Sequence, residues 1–194
     1  MAKPHVLVMT GYGINCDEEM KFAFEKAGAR AELIHINDLI ENCGSIHRYQ
    51  IIAFPGGFSY GDDTGAGNAL ANRIRNHVLD EVREFVQKDN LVIGICNGFQ
   101  VITNLGLIPA LDGNYGSREA VLMHNDNARY TARWVDLKFG SNNIWTRGLE
   151  NMSLPIGHGE GKFYTHAETL QNIKEKELVT ARYVPGFICQ HQNL

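Results

Sequence analysis

Cys96 stands between Gly94 and Gly98, directly after the apolar run Leu91-Val-Ile-Gly-Ile95. A short run dense in β-branched residues predicts a buried parallel strand, and the residues after Cys96 return to helical spacing. Strand, nucleophile and helix in the pattern G-x-[Ser/Cys]-x-G form a nucleophile elbow. The chemistry of that pattern is attack of a thiolate on a carbonyl carbon. The turn holds the nucleophile in a strained backbone conformation, so its flanking residues must be small enough for strand and helix to pack closely. At the helix N-terminus, free N–H groups and the helix dipole favour a thiolate. The same N–H groups can hold an oxyanion, with that of Asn97 best placed. The competing reading is a core cysteine at a strand end with no chemistry, because free cysteines are commonly buried.

A second segment points to the same place. Ile51-Ile-Ala-Phe54 predicts another buried strand, which empties into Pro55-Gly-Gly-Phe-Ser-Tyr-Gly-Asp62. In parallel α/β sheets ligands bind outside the carboxyl ends of the strands, so the two strand ends can face one pocket. A Gly-Gly loop can aim a bare backbone N–H at a developing oxyanion. An ordinary turn is the alternative. The G-x-x-x-x-G-K-[Ser/Thr] phosphate loop is absent, so no nucleotide is expected here.

The elements that must position these residues alternate through the first half. Strands are expected at about His5–Met9, Ala31–Ile36, Ile51–Phe54 and up to Cys96. Helices are expected over Asp17–Ala27, over about Gly67–Lys88 with Leu70, Ile74, Val78, Val82 and Phe85 on one stripe, and from Asn97 to near Gly106. This βαβα order predicts an α/β fold with an open, doubly wound, mostly parallel sheet of flavodoxin-like type. From about Asp112 the texture changes, and Ala128–Phe139, Asn151–Ile156 and Leu178–Tyr183 read as strands of an antiparallel extension. With 194 residues and no repeat or linker, residues 1–194 are expected to form a single domain.

Composition narrows the function classes. A formal net charge of −4 without a long run of one sign gives no support to nucleic-acid or membrane binding. No stretch approaches the ~20 apolar residues of a membrane span, and the apolar run after Met1-Ala-Lys-Pro-His is too short for a signal peptide. Cys16, Cys43, Cys96 and Cys189 are dispersed without a C-x-x-C. That pattern predicts reduced thiols in a cytoplasmic protein, with no disulfide framework and no metal site.

Gly94-Ile-Cys96-Asn-Gly-Phe-Gln100 resembles the nucleophile motif of class I (triad-type) glutamine amidotransferases. Pro55-Gly-Gly-Phe-Ser-Tyr-Gly-Asp62 narrows the resemblance to the glutaminase subunits of phosphoribosylformylglycinamidine synthase. Three further stretches are similar, in the family's order: Asn15-Cys-Asp-Glu18; His124-Asn-Asp-Asn-Ala-Arg-Tyr130 with Arg133-Trp-Val135; and Gly157-His-Gly-Glu-Gly-Lys-Phe163. The resemblance implies hydrolysis of L-glutamine by Cys96, an oxyanion held by the N–H groups of Gly57 and Asn97, and substrate contacts from Gln100 and Gly56. Asn125, Arg129, His158 and Glu160 are further candidates for substrate contact. From its residue type and position alone, Gln100 can equally be an exposed helix residue.

The resemblance also implies partners: a large synthase subunit that converts formylglycinamide ribonucleotide to the amidine, and a small accessory subunit. ATP and magnesium are expected only on the large subunit, and no cofactor in this chain. The family places its base in a His-Pro-Glu motif close to the C-terminus, and this sequence has none. A shortened chain is the expectation; the rival explanation is a catalytic pair supplied otherwise. His158-Gly-Glu160 has His-x-Glu spacing but belongs to a different family motif, and His191 has no acidic neighbour. Two other functional classes stay open. One is an impaired or non-catalytic subunit that binds the synthase. The other is a PfpI-like cysteine hydrolase, against which the Gly-Phe-Ser-Tyr-Gly-Asp and His-Gly-Glu-Gly-Lys-Phe stretches argue.

Overall fold

The computed structural model describes residues 3–140 and 143–186. The expectations for Cys189 and His191 therefore lie outside the described residues. The chain divides into two compact units, Met1–Leu122 and Met123–Leu194.

The first unit is built on a four-stranded parallel sheet in the order β2-β1-β3-β4. Its strands are β1 (His5–Thr10), β2 (Arg30–His35), β3 (Ile51–Phe54) and β4 (Leu91–Gly94). This is the flavodoxin-like order, in which the crevice at the strand carboxyl ends is the ligand side. β3 is buried along its whole length, as its unbroken apolar run requires. The fully buried strand expected at Leu91–Ile95 is corrected. β4 is only half-buried throughout, because it stands last in the sheet order.

α1 (Asp17–Lys26) starts with three acidic residues in its first turn, which complement the positive end of the helix dipole. The single long helix expected over Gly67–Lys88 is two helices, α3 (Asn68–His77) and α4 (Leu79–Gln87). The break falls at Val78, whose φ of −135° leaves the helical region. The apolar stripe survives it: Leu70, Ile74, Val78, Val82 and Phe85 are all buried. Each half thus buries its own part of one stripe, and periodicity alone does not reveal the joint. Asp80 and Glu81 in the first turn of α4 are the local sign of a new N-terminus. α5 (Asn97–Asn104) follows the β4 turn, and β5 (Ala120–Met123) comes later.

A short helix that the sequence did not signal, α2 (Ile36–Glu41), follows β2 directly. His35 caps it, its Nδ1 accepting from Asn37 N at 3.1 Å. Histidine is not among the usual capping residues, which is why the start is hard to read.

The second unit carries an antiparallel three-stranded sheet, β7-β6-β9, with β6 (Thr131–Phe139), β7 (Asn151–His158) and β9 (Ala181–Val184). β9 starts three residues later than the strand expected at Leu178. β8 (Lys162–Thr165) and a helix at Ala167–Glu175 were not legible. That helix buries only Ile173, so its amphipathic pattern is thin.

Candidate active site

The ends of β3 and β4 are neighbours. Phe54 pairs with Gly94, and Ile95 N donates to Phe54 O at 3.1 Å. Beyond this last contact the chain turns sharply. Cys96 has φ 56° and ψ −114°, a strained conformation for a residue with a side chain, and it is the N-cap of α5. The glycines on either side are a steric requirement. A Cβ on Gly98 would fall 1.9 Å from Phe54 O, and one on Gly94 would fall 2.6 Å from Gly98 O. Cys96 is exposed, unlike Val101 within α5 and Leu105 at its C-cap, so the core-cysteine alternative does not hold.

The glycine loop lies against the elbow. An ideal Cβ on Gly56 would touch Cys96 Cβ at 3.4 Å, so the nucleophile candidate and the loop are in van der Waals range. Backbone bonds stitch this loop to the loop after β1. Asn15 N and Cys16 N both donate to Gly56 O at 3.3 Å, Phe58 N to Gly13 O at 2.8 Å, and Tyr60 N to Tyr12 O at 2.9 Å. Gly57 bridges Ile14 in an antiparallel pair that uses its neighbours' polar groups. Its own N–H has no hydrogen-bond partner among the described residues, and neither has that of Asn97 at the start of α5. Both are thus backbone donors open to an oxyanion. Gly57 has φ +141°, and a Cβ there would meet Gly13 O at 2.5 Å, so only glycine fits.

A buried polar brace joins loop to elbow. The Asn97 side chain, 1% exposed, accepts from Ser59 N at 3.2 Å through Oδ1. Its Nδ2 donates to Asp62 Oδ1 at 3.1 Å and to Gln100 Oε1 at 2.9 Å. Asp62 Oδ1 also accepts from Gly67 N, the N-cap of α3, at 3.3 Å. Gln100 is therefore buried inside this network, and the exposed-residue alternative is corrected. Asp62 and Ser59 were quoted only as parts of a motif. Their role in the brace was not visible, because Asp62 meets Asn97 across 35 residues of chain. Replacing Asp62 by alanine leaves the Asn97 amide with Gln100 Oε1 alone and takes from Gly67 N the acceptor at the α3 cap. The expected result is a loss of roughly 10²-fold in kcat through misplacement of the loop, with partial recovery in Asp62→Asn. Unchanged kcat in a folded Asp62→Ala protein contradicts the brace.

In the second unit, the stretches His124–Tyr130 and Gly157–Phe163 meet around a cleft of about 530 Å³. Of the four further candidates, Asn125 and His158 line it, and Arg129 and Glu160 do not. Arg129 offers its carbonyl to Asn125 Nδ2 at 2.9 Å, while Glu160 lies 3.7 Å from His124 Nδ1. Arg133 and Lys162 line the cleft instead; Lys162 pairs with Asp126, and Arg133 Nε is buried without a partner among the described residues.

His158 Nδ1 lies 2.9 Å from Asn125 Oδ1, which also accepts from Gly161 N, so Nδ1 is the donor. Burial pushes the His158 pKa down, and the Arg133 guanidinium adds to the effect. The unfolded chain then binds a proton more readily than the folded one, and stability falls as pH drops below about 6.5. Thermal melts between pH 7.5 and 5 should show this fall, and it should be smaller in His158→Asn. Equal slopes for the two proteins contradict it.

The sequence from residue 3 to 192 matches the family of CobB/CobQ-like glutamine amidotransferase domains. The chain belongs to this glutamine amidotransferase family. It is 49% identical over 181 residues to the phosphoribosylformylglycinamidine synthase subunit PurQ of Methanococcus maripaludis strain C7, covering 93% of this chain and 66% of the relative. The PurQ subunit of Dehalococcoides mccartyi is 38% identical, with 89% of this chain and 68% of the relative aligned. The chain thus spans about two thirds of the length of these relatives. Among solved structures it is similar to a chain of PurLQS from Thermotoga maritima, with a TM-score of 0.72 and 27% identity over 95% of this chain and 76% of that one. Within the family the chain is PurQ-like. Among the described residues no group of His, Cys, Asp and Glu could hold a metal ion, and no helix is long and apolar enough to cross a membrane.

Proposed function

We propose that the chain is a glutaminase that hydrolyses L-glutamine to glutamate and ammonia through a thioester on Cys96. The observation that carries this reading is the exposed Cys96 at an elbow with φ 56°, packed against a glycine loop whose Gly57 N–H is open. The Cys96 thiolate attacks the side-chain amide carbon, and the carbonyl oxygen becomes an oxyanion between the N–H groups of Gly57 and Asn97. Collapse breaks the carbon–nitrogen bond, and the nitrogen leaves as ammonia after taking up a proton. Water then cleaves the glutamyl thioester and restores the thiol.

By likeness to the PurQ subunits, the ammonia goes to a large phosphoribosylformylglycinamidine synthase subunit, with a small accessory subunit as a further partner. It serves conversion of formylglycinamide ribonucleotide to the amidine in purine biosynthesis, in the cytoplasm. ATP and magnesium belong to the large subunit in this reading, and this chain carries no cofactor. The test is ammonia release from glutamine by the chain alone and mixed with the large subunit, ATP and the ribonucleotide. Glutamine-dependent amidine formation in the mixture is expected. Amidine formation from free ammonium but never from glutamine would identify a non-catalytic subunit and overturn the proposal. Turnover of glyoxal or peptides in place of glutamine would overturn it too.

A further inference from the structure

Cys16 stands beside Cys96. An ideal Cβ on Gly56 would lie 3.5 Å from Cys16 Sγ and 3.4 Å from Cys96 Cβ, so both cysteines border the same bare face of Gly56, with the Cys16 thiol donating to Asn15 Oδ1 at 3.3 Å. Cys16 is held there by its own N–H, which donates to Gly56 O at 3.3 Å. Both thiols are exposed, and each residue is the N-cap of a helix, α1 for Cys16 and α5 for Cys96. Cys43, by contrast, turns its thiol to Ile40 O and His77 O and lies half-buried away from the pair.

The two cysteines differ in their surroundings. Burial pushes the Cys16 thiol pKa up, with Glu19, the charge of Cys96 and Asp17 adding in that order. Cys16 is thus kept as a protonated thiol, while Cys96 has the N-terminus of α5 without an acidic residue in its first turn. A disulfide needs Cβ atoms about 3.5–4.5 Å apart, and the open side of Gly56 leaves room for the two side chains to approach.

We infer that Cys16 and Cys96 form a peroxide-responsive pair, in which Cys16 resolves oxidised Cys96 as an intramolecular disulfide. The Cys96 thiolate attacks hydrogen peroxide, the O–O bond breaks, and Cys96 becomes a sulfenic acid as hydroxide leaves and takes a solvent proton to form water. The Cys16 sulfur then attacks the Cys96 sulfur, the S–O bond breaks, and a second water carries away the oxygen with the Cys16 proton. Two thiols lose two electrons, and one peroxide gains them. The disulfide occupies the sulfur that glutamine hydrolysis uses and protects it from irreversible oxidation. That consequence rests on Cys96 being the nucleophile, whereas formation of the bond does not.

The test treats the full chain with equimolar hydrogen peroxide, blocks free thiols with N-ethylmaleimide, and maps peptides without reduction. A monomeric Cys16–Cys96 linked species is expected, removed by dithiothreitol, with Cys43 alkylated as before. Glutaminase activity should fall in step and return on reduction. In Cys16→Ser, Cys96 should pass to the sulfinic acid, and activity should not return. Dibromobimane, which fluoresces only when both of its arms react, should bridge the untreated wild-type pair and neither single variant. Cys96 found joined to Cys43, to Cys189 or to a second chain overturns the inference. So does a sulfinic Cys96 formed equally fast with and without Cys16. If the linked peptide forms in a chain without glutaminase activity, the pair stands and the proposed function fails.

Discussion

Replacing Cys96 by serine is expected to lower glutamine hydrolysis by about 10⁴-fold or more while leaving the melting temperature nearly unchanged. The loss is large because, in the proposed mechanism, the Cys96 sulfur is the attacking atom, and a serine hydroxyl is a far weaker nucleophile at neutral pH. The fold should not notice the change. Cys96 is exposed, and the strain of its backbone is held by neighbours that remain: Gly94, Gly98 and the Ile95 N to Phe54 O bond. Steady-state ammonia release in the complex, compared with melts of the two proteins, measures both parts. Residual turnover within tenfold of wild type would remove Cys96 from the mechanism.

Gly57→Ala carries the second largest effect, a loss of roughly 10²–10³ in kcat. The new Cβ would sit 2.5 Å from Gly13 O and 2.8 Å from Asn15 N, both backbone atoms that cannot swing aside. The loop must move, and with it the open N–H beside Cys96. Alkylation of Cys96 by iodoacetamide needs no oxyanion donor and should continue at nearly the wild-type rate. A kcat close to wild type in a folded Gly57→Ala protein would contradict the role of this donor. Equal losses of kcat and of alkylation would point to a collapsed site instead.

These effects separate what was legible in the sequence from what was not. The elbow could be read because its requirements are local: a branched apolar run, a cysteine, and glycines where strand and helix touch. β3 fell at the expected residues for the same reason, since an unbroken apolar run of four ends at Pro55. The joint at Val78 was hidden because both helices keep one buried stripe through it. The Asn97–Asp62–Ser59 brace was hidden for a different reason. Its members are ordinary polar residues on separate elements, and only the tertiary approach of the loop to α5 brings them together. Cys16 beside Cys96 is of that kind too, a pair 80 residues apart in sequence that meets at the bare face of Gly56. In the second unit, Asn125 and His158 line a cleft together with Arg133 and Lys162, whereas Arg129 and Glu160 do not, because their side chains lie on other parts of the same two stretches.

Glutamine hydrolysis on Cys96 is tested most directly by peptide mapping after exposure to a chloroketone analogue of glutamine at neutral pH. Its carbonyl and α-substituents mimic the substrate, so the reagent must bind before it alkylates. A single adduct on Cys96 is expected, slowed by excess glutamine and abolished in Cys96→Ser, with Cys16 and Cys43 unmodified. Labelling of Cys16 or Cys43 first, with Cys96 untouched and glutamine without protective effect, would contradict it.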